Sequence, residues 1–262
     1  MKKALTIAGF DPTGGAGIQA DLKVFHALGV YGLSVVSSLT AQNTEGVSEV
    51  MPVPGSFVKK QLTVLLSDLL PDATKTGMLY SESAIESVAY IIKRYSLKNI
   101  VVDPVLVSSS GKSLVEKNTP FTLRKKIFPF CAVITPNIYE ASVLSGIDIK
   151  TSADMKKAAV CLRAYGPENV IITGGHLEDA AMDVLYDGNF HYLKSRKIKG
   201  EYHGTGCTFS AALTAMLAKG YSVLDSAKEA KKFINRALKK SFSAGKGMRL
   251  FNIESKSFPI KQ

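Results

Sequence analysis

Short apolar runs rich in β-branched residues alternate along the chain with longer segments whose apolar positions recur at helical spacing. That is the pattern of a mostly parallel sheet covered by helices. The runs Ala4–Gly9, Ser34–Thr40, Val47–Val53, Ala73–Gly77, Asn99–Val102, Ala132–Thr135 and Val170–Thr173 read as strands. Helices are predicted to begin near Gly15, Phe57, Glu82, Asn118, Tyr139, Ser152, Cys207 and Asp225. Asp187-Gly188, set between Met182–Tyr186 and Phe190–Leu193, is a hairpin signal, so an antiparallel pair edges the sheet. No internal repeat and no low-complexity linker interrupts the series, and residues 1–262 read as one domain. The tail 244–262 shows no clear period and stays unassigned.

Composition leaves this picture intact: 46% of residues are hydrophobic and 21% charged, ordinary for a chain with a buried core. The net charge of +11 is less ordinary and invites a nucleic-acid or membrane reading. Its location argues otherwise. Residues 1–189 hold 18 Lys/Arg against 18 Asp/Glu, whereas residues 190–262 hold 15 against 4. On a helix from Asp225, Ala227, Ala230, Ile234, Ala237 and Leu238 form an apolar stripe. Lys228, Lys231, Lys232, Arg236, Lys239 and Lys240 then fall on the opposite, solvated face. No aromatic residues are interleaved as a base-stacking platform requires, so a nucleic-acid partner is not expected.

Nor is a membrane partner. No apolar run approaches the roughly 18 residues of a spanning helix. The apolar run after Lys2-Lys3 meets Asp11-Pro12 too soon for a secretory signal and reads as the first strand. Cys131, Cys161 and Cys207 are odd in number and widely spaced, which points to a reducing compartment, the cytoplasm.

Candidate chemistry gathers where strands give way to helices. Gly9-Phe10-Asp11-Pro12-Thr13-Gly14-Gly15-Ala16-Gly17 lacks the Lys-Ser/Thr of a Walker A loop. Although Gly15-x-Gly17-x-x-Ala20 fits a permissive dinucleotide pattern, the acidic residue expected at the end of the next strand is missing. Ile172-Thr173-Gly174-Gly175-His176 is by itself only a turn signal. His203-Gly204-Thr205-Gly206-Cys207-Thr208 says more. It precedes a strong small-residue helix, so its amides and the helix dipole converge on one point as an anion hole. The same field would favour a Cys207 thiolate. Asp103 ends a buried strand, Asn137 ends another, and Glu140 lies on the helix that follows. Two carboxylates, an amide and an anion hole on one sheet edge suit Mg²⁺ and a polyphosphate.

Six segments in one order carry a family resemblance. They are Ala8-Gly9-x-Asp11-Pro12-x-Gly14-Gly15-Ala16-Gly17-Ile18-Gln19-Ala20-Asp21-Leu22-Lys23, Ala41-Gln42-Asn43-Thr44, Lys75-x-Gly77-Met78-Leu79, Val102-Asp103-Pro104-Val105, Thr135-Pro136-Asn137-x-x-Glu140-Ala141 and His203-Gly204-Thr205-Gly206-Cys207-Thr208. Nearly end to end, the chain resembles the hydroxymethylpyrimidine/phosphomethylpyrimidine kinases of thiamine biosynthesis, in the ribokinase-like superfamily. The resemblance implies an α/β fold with a central, mostly parallel sheet, helices on both faces and a small antiparallel edge. It implies ATP-dependent phosphorylation of 4-amino-5-hydroxymethyl-2-methylpyrimidine and then of its monophosphate, and a homodimer or other homo-oligomer.

Carried over by position, Gln42 would read the pyrimidine's amino and ring-nitrogen edge. The backbone of Ala16 and Val105 and the side chains of Asp21 and Met78 would line the same pocket. Asp103 and Glu140 would organise Mg²⁺, partly through water. Asn137, Thr173 and Gly175 would hold ATP phosphates, and Gly204, Thr205 and Gly206 would form the anion hole. Cys207 would stand where sugar kinases carry their catalytic Asp. One departure is Thr173, where such kinases usually carry Lys; Lys199 or another late basic residue is the expected substitute cation. A pyridoxal kinase of the same superfamily is the nearest rival reading. A hydrolase pairing His203 with Cys207 is a remoter one, since no third group is apparent to orient the pair.

Overall fold

The computed structural model describes residues 1–108, 111–174 and 181–253. Nine strands form one sheet in the order β3-β2-β1-β4-β5-β6-β7-β8-β9. They are β1 (Lys3–Phe10), β2 (Tyr31–Gln42), β3 (Val47–Pro52), β4 (Ala73–Thr76), β5 (Ile100–Val102), β6 (Val133–Ile134), β7 (Asn169–Ile172), β8 (Ala181–Tyr186) and β9 (Phe190–Ser195). The six strands from β2 to β7 are parallel neighbours. Antiparallel strands close both edges: β3 beside β2, and the β8–β9 hairpin beside β7. The expected hairpin thus forms, with Gly188 at φ 117° in its turn.

Alternation along the buried strands builds two cores. In β5, Ile100 and Val102 face one side and Val101 the other; in β7, Val170 and Ile172 oppose Ile171. The first face is covered by α2 (Gly55–Leu66), α3 (Glu82–Tyr95), α4 (Thr119–Lys126), α5 (Ile138–Ser145) and α6 (Ser152–Arg163). The second is covered by α1 (Gly17–Ala27), α7 (Thr205–Ala218) and α8 (Val223–Lys239). Every residue of α7 from Thr208 to Ala218 is buried, and its many Ala, Ser and Thr side chains let α1 and α8 approach closely.

The basic helix behaves largely as its stripe predicts, burying Ala227, Ala230, Phe233, Ile234 and Ala237. Lys231 departs from the solvated face: its ammonium lies 2.7 Å from Asp183 Oδ2, and Asp183 also accepts the Gly174 N–H at 3.1 Å. The tail left unassigned supplies β11 (Leu250–Phe251), paired with β10 (Ser241–Phe242).

Because β1 is flanked by β2 on one side and β4 on the other, the chain winds in both directions from it. That makes the carboxyl ends of β1 and β4 the switch point at which open α/β sheets hold ligands.

Candidate active site

The carboxyl edge of the sheet collects nearly every residue singled out in the sequence. Asp11 follows β1, Gln42 ends β2, Lys75 and Met78 lie in and just after β4, Asp103 follows β5, Asn137 follows β6 and Thr173 follows β7. Asn137 and Thr173 are brought side by side by a parallel bridge. Gly175 and His176 lie outside the described residues.

The anion hole forms as expected. Gly204 caps α7 at φ 81°, and a Cβ there would sit 1.8 Å from the Gly15 carbonyl oxygen, so only glycine lets the two glycine loops touch. The first intrahelical bond runs from Thr208 N–H to the Gly204 carbonyl at 2.9 Å, which leaves the amides of Thr205, Gly206 and Cys207 ahead of the helix's own ladder. Under this turn sits Asp103, its carboxylate oxygens 3.9 and 4.0 Å from where a Gly206 Cβ would be. Ser210 Oγ donates to Asp103 Oδ2 at 2.8 Å.

Beneath these groups is a residue that sequence reasoning passed over as a site member. Lys75 is completely buried, with Nζ 2.6 Å from Asp21 Oδ1 and 3.9 Å from Asp103 Oδ2. Asp21 Oδ2 accepts Thr6 Oγ1 at 2.6 Å. Burial works against the ammonium, yet the charge and hydrogen bond of Asp21, with the charge of Asp103 beyond it, outweigh it and hold Lys75 firmly protonated. The Asp21 carboxylate therefore does not line the pocket as expected. It is sealed below, because a buried Lys needs a full counter-charge. A lysine inside the predicted strand Ala73–Gly77, four residues before Leu79, was the available signal.

The thiolate expected at Cys207 is not what this environment favours. Burial pushes the thiol up to about 12; Asp103 and Asp21 add to the push, and Lys75 and the Gly17 N–H oppose it. Cys207 is within hydrogen-bonding reach of Asp103, whose own pKa burial raises against the pull of Lys75 and Ser210. The helix field is outweighed by desolvation and two carboxylates.

Three further positions make hydrogen bonds within the protein. The Ala16 N–H donates to Asp11 Oδ2 at 2.8 Å and the Ala16 carbonyl accepts Ala20 N–H, so the Ala16 backbone serves the loop rather than the pocket. Asn137 and Glu140 form a capping box at α5: Asn137 Oδ1 accepts Glu140 N–H and Glu140 Oε2 accepts Asn137 N–H, both at 2.9 Å. Met78 is buried against Gly9, and Val105 is half-buried with its N–H folded back on the Asp103 carbonyl at 2.9 Å. Lys199 is exposed and its carbonyl accepts Tyr202 Oη.

Burial and the neighbouring Asp103 carboxylate push Glu140 up to about 8. Two hard-oxygen carboxylates repelling one another at a sheet edge fit a magnesium ion that keeps part of its water shell. Among the described residues no group of three or more potential metal ligands occurs, so any such ion would complete its shell with water and phosphate.

A cavity of about 560 Å³ opens beside Gln42, lined also by Thr13, Thr44, Lys246 and Leu250. Its far wall is the tail: Gly247 N–H donates to Thr44 Oγ1 at 3.1 Å and Met248 N–H to the Thr44 carbonyl at 2.9 Å. The Gly245-x-Gly247 spacing was the sequence signal for this close approach. His203 Nε2 lies 2.8 Å from Asp11 Oδ2 and His203 Nδ1 has no partner among the described residues, so the His203–Cys207 pair of a hydrolase is not formed.

A doubly wound sheet, an anion hole on a helix N-terminus and an acidic pair at the same sheet edge define a ribokinase-like small-molecule kinase. The phosphomethylpyrimidine kinase family model matches residues 11–252, and the chain belongs to that family. It is 43% identical to the hydroxymethylpyrimidine/phosphomethylpyrimidine kinase of Bacillus subtilis, over 94% of this chain and 92% of the relative. It is 45% identical to the pyridoxine kinase of the same organism, over 92% of each. The structure of an ADP complex of Bacillus subtilis pyridoxal kinase superposes with a TM-score of 0.89 at 41% identity and covers 98% of both chains. The chain spans 50% of the length of the thiamine biosynthesis bifunctional protein of Geobacter sulfurreducens, to which it is 42% identical. No described helix is long and apolar enough to cross a membrane.

Proposed function

We propose that residues 1–262 act as a single kinase domain that transfers phosphoryl groups from ATP to 4-amino-5-hydroxymethyl-2-methylpyrimidine and then to its monophosphate. The observation that supports this reading is the contact of the first glycine loop with the anion-hole turn, Gly204 against the Gly15 carbonyl, while Thr13 of that same loop and Gln42 line one cavity. An acceptor read at its amino edge by an amide, which both donates and accepts, then presents its hydroxymethyl group to the anion hole. Thr205 and Gly206 amides bind the transferred phosphoryl, while Asn137 and Thr173 hold the donor phosphates. Magnesium held by Asp103 and Glu140 would supply neutralisation of phosphate charge.

The transfer needs positioning and charge compensation more than a strong base. In the first step the hydroxymethyl oxygen attacks the γ-phosphorus of ATP as the bond from that phosphorus to the bridging oxygen breaks and ADP leaves; the hydroxymethyl proton passes to Cys207 Sγ while the Sγ–H proton passes to Asp103. Lys75 compensates the acidic cluster throughout. In the second step the nucleophile is already an anionic phosphate and needs no proton acceptor.

A pyridoxal kinase is the second reading, favoured by the extent of likeness to the Bacillus pyridoxal and pyridoxine kinases. Turnover measured on both acceptors decides between them. We place the protein in the cytoplasm, on three unpaired cysteines, and expect a homo-oligomer, which light scattering would report.

A further inference from the structure

We infer that His203 is a positioning residue that locks the acceptor-binding loop to the anion-hole loop through Asp11. This rests on the acceptor reading above and extends it to a residue with no role in that scheme. Asp11 is buried at the end of β1 and organises the first glycine loop by itself. Its Oδ1 accepts the Thr13 N–H and its Oδ2 accepts the Ala16 N–H, each at 2.8 Å. The Thr13 hydroxyl lies 2.8 and 2.9 Å from the same two oxygens, and the Gln42 side chain is a weaker partner. Gln19 holds the Asp11 backbone, accepting its N–H at 3.1 Å and donating to its carbonyl at 2.7 Å.

Among the described residues, one side chain reaches this carboxylate from the other end of the chain. His203 Nε2 lies 2.8 Å from Asp11 Oδ2 across 192 positions of sequence, directly before Gly204. The imidazole is packed so tightly on the first loop that a Cβ on Gly15 would sit 2.7 Å from its Cδ2 and 2.7 Å from Leu250 Cδ2. The His203 backbone N–H in turn donates to the Arg249 carbonyl at 3.0 Å, which anchors the main chain beneath the ring to the tail. With Nε2–H donated to Asp11, the His203–Asp11 bond and the Gly15–Gly204 contact together hold the first glycine loop, whose Thr13 lines the cavity beside Gln42, against the anion-hole turn. A hydrogen bond to a carboxylate, buried at both ends, holds such a spacing far better than backbone contact alone.

The test compares steady-state kinetics of wild type, His203→Ala, His203→Gln and His203→Asn. The Gln amide can replace the Nε2 donor, whereas the Asn amide falls short of it. For His203→Ala, kcat on the acceptor falls about 10- to 100-fold, the scale of a misplaced reacting group. ATP affinity, read by binding of a fluorescent ATP analogue, changes less than about 2-fold, because a positioning role acts on the acceptor side. His203→Gln regains at least about 5-fold of the lost kcat and His203→Asn does not, which a purely structural role would not produce. Should His203→Ala fail to fold, the Gln-to-Asn ratio alone carries the comparison. Wild-type turnover of hydroxymethylpyrimidine is measured first. If it is absent, the acceptor reading falls, and the same ratios are taken with pyridoxal, which meets the same two loops. Unchanged kcat in His203→Ala, or equal rates for the Gln and Asn variants, overturns the inference.

Discussion

Replacing Lys75 with methionine keeps the length of the side chain and removes the positive charge that faces Asp21 and Asp103 from below. In the native protein Nζ lies 2.6 Å from Asp21 Oδ1 and 3.9 Å from Asp103 Oδ2, with no solvent access to any of the Lys75 or Asp21 side chain. The variant leaves two buried carboxylates without their cation, and breaking a buried pair in this one-sided way costs about 3–5 kcal/mol. For a chain of this size, about 2–4 °C per kcal/mol places the fall in Tm at about 6–20 °C, measured by circular dichroism with urea titration as a second probe. The double variant Lys75→Met/Asp21→Leu removes the stranded charge as well and regains most of the loss, since apolar replacement of a whole buried pair is often neutral. A Lys75→Met protein melting within about 2 °C of wild type would mean that the ammonium is not the counter-charge of this cluster.

Other consequences of the site are open to direct measurement. Cys207→Ala slows the first phosphorylation by about 10²-fold or more and the second by much less, because only the first passes a proton through the thiol; equal losses contradict the proton route. Asp11 is held down at about 2: burial would raise it, but the hydrogen bond and charge of His203, the Thr13 N–H and Gln42 outweigh that. Its stabilisation is therefore fully present above the unfolded value of 3.8 and is lost as pH falls through about 2. The stability difference between wild type and Asp11→Asn, from urea unfolding, shrinks by about 2 kcal/mol between pH 6 and pH 2; a constant difference refutes the assignment. Asn137→Ala removes the cap of α5 and lowers stability by about 1 kcal/mol, while raising the KM for ATP. An unchanged KM would confine Asn137 to the helix.

The fold was legible because its signals are local. Apolar runs bounded by Gly, Pro and Asp marked the strands, and Asp187-Gly188 marked the hairpin. The sheet-edge positions of Asp103, Asn137 and Gly204 followed from the same periodicity. What the chain order hid was depth. Asp21 and Gln42 look equally polar in sequence, yet Asp21 is sealed against Lys75 while Gln42 lines a cavity. The reactivity of Cys207 was misjudged for the same reason: a helix N-terminus can be read from a glycine pattern, whereas the desolvation that outweighs it depends on what packs above and below. The Asp11–His203 bond joins residues 192 apart, and no local pattern announces such a partner. Residues 244–253 show no period because they are held by Thr44 and against Gly15 rather than by helix packing of their own.

One assay bears on the central reading more directly than any variant. Purified protein is incubated with ATP and Mg²⁺ and, in parallel, with hydroxymethylpyrimidine, pyridoxal and a panel of sugars, and the products are resolved as mono- and diphosphates. The account predicts that the pyrimidine monophosphate forms first and is converted to the diphosphate in the same reaction, faster than any other acceptor is consumed. Formation of pyridoxal phosphate with no pyrimidine product would contradict it.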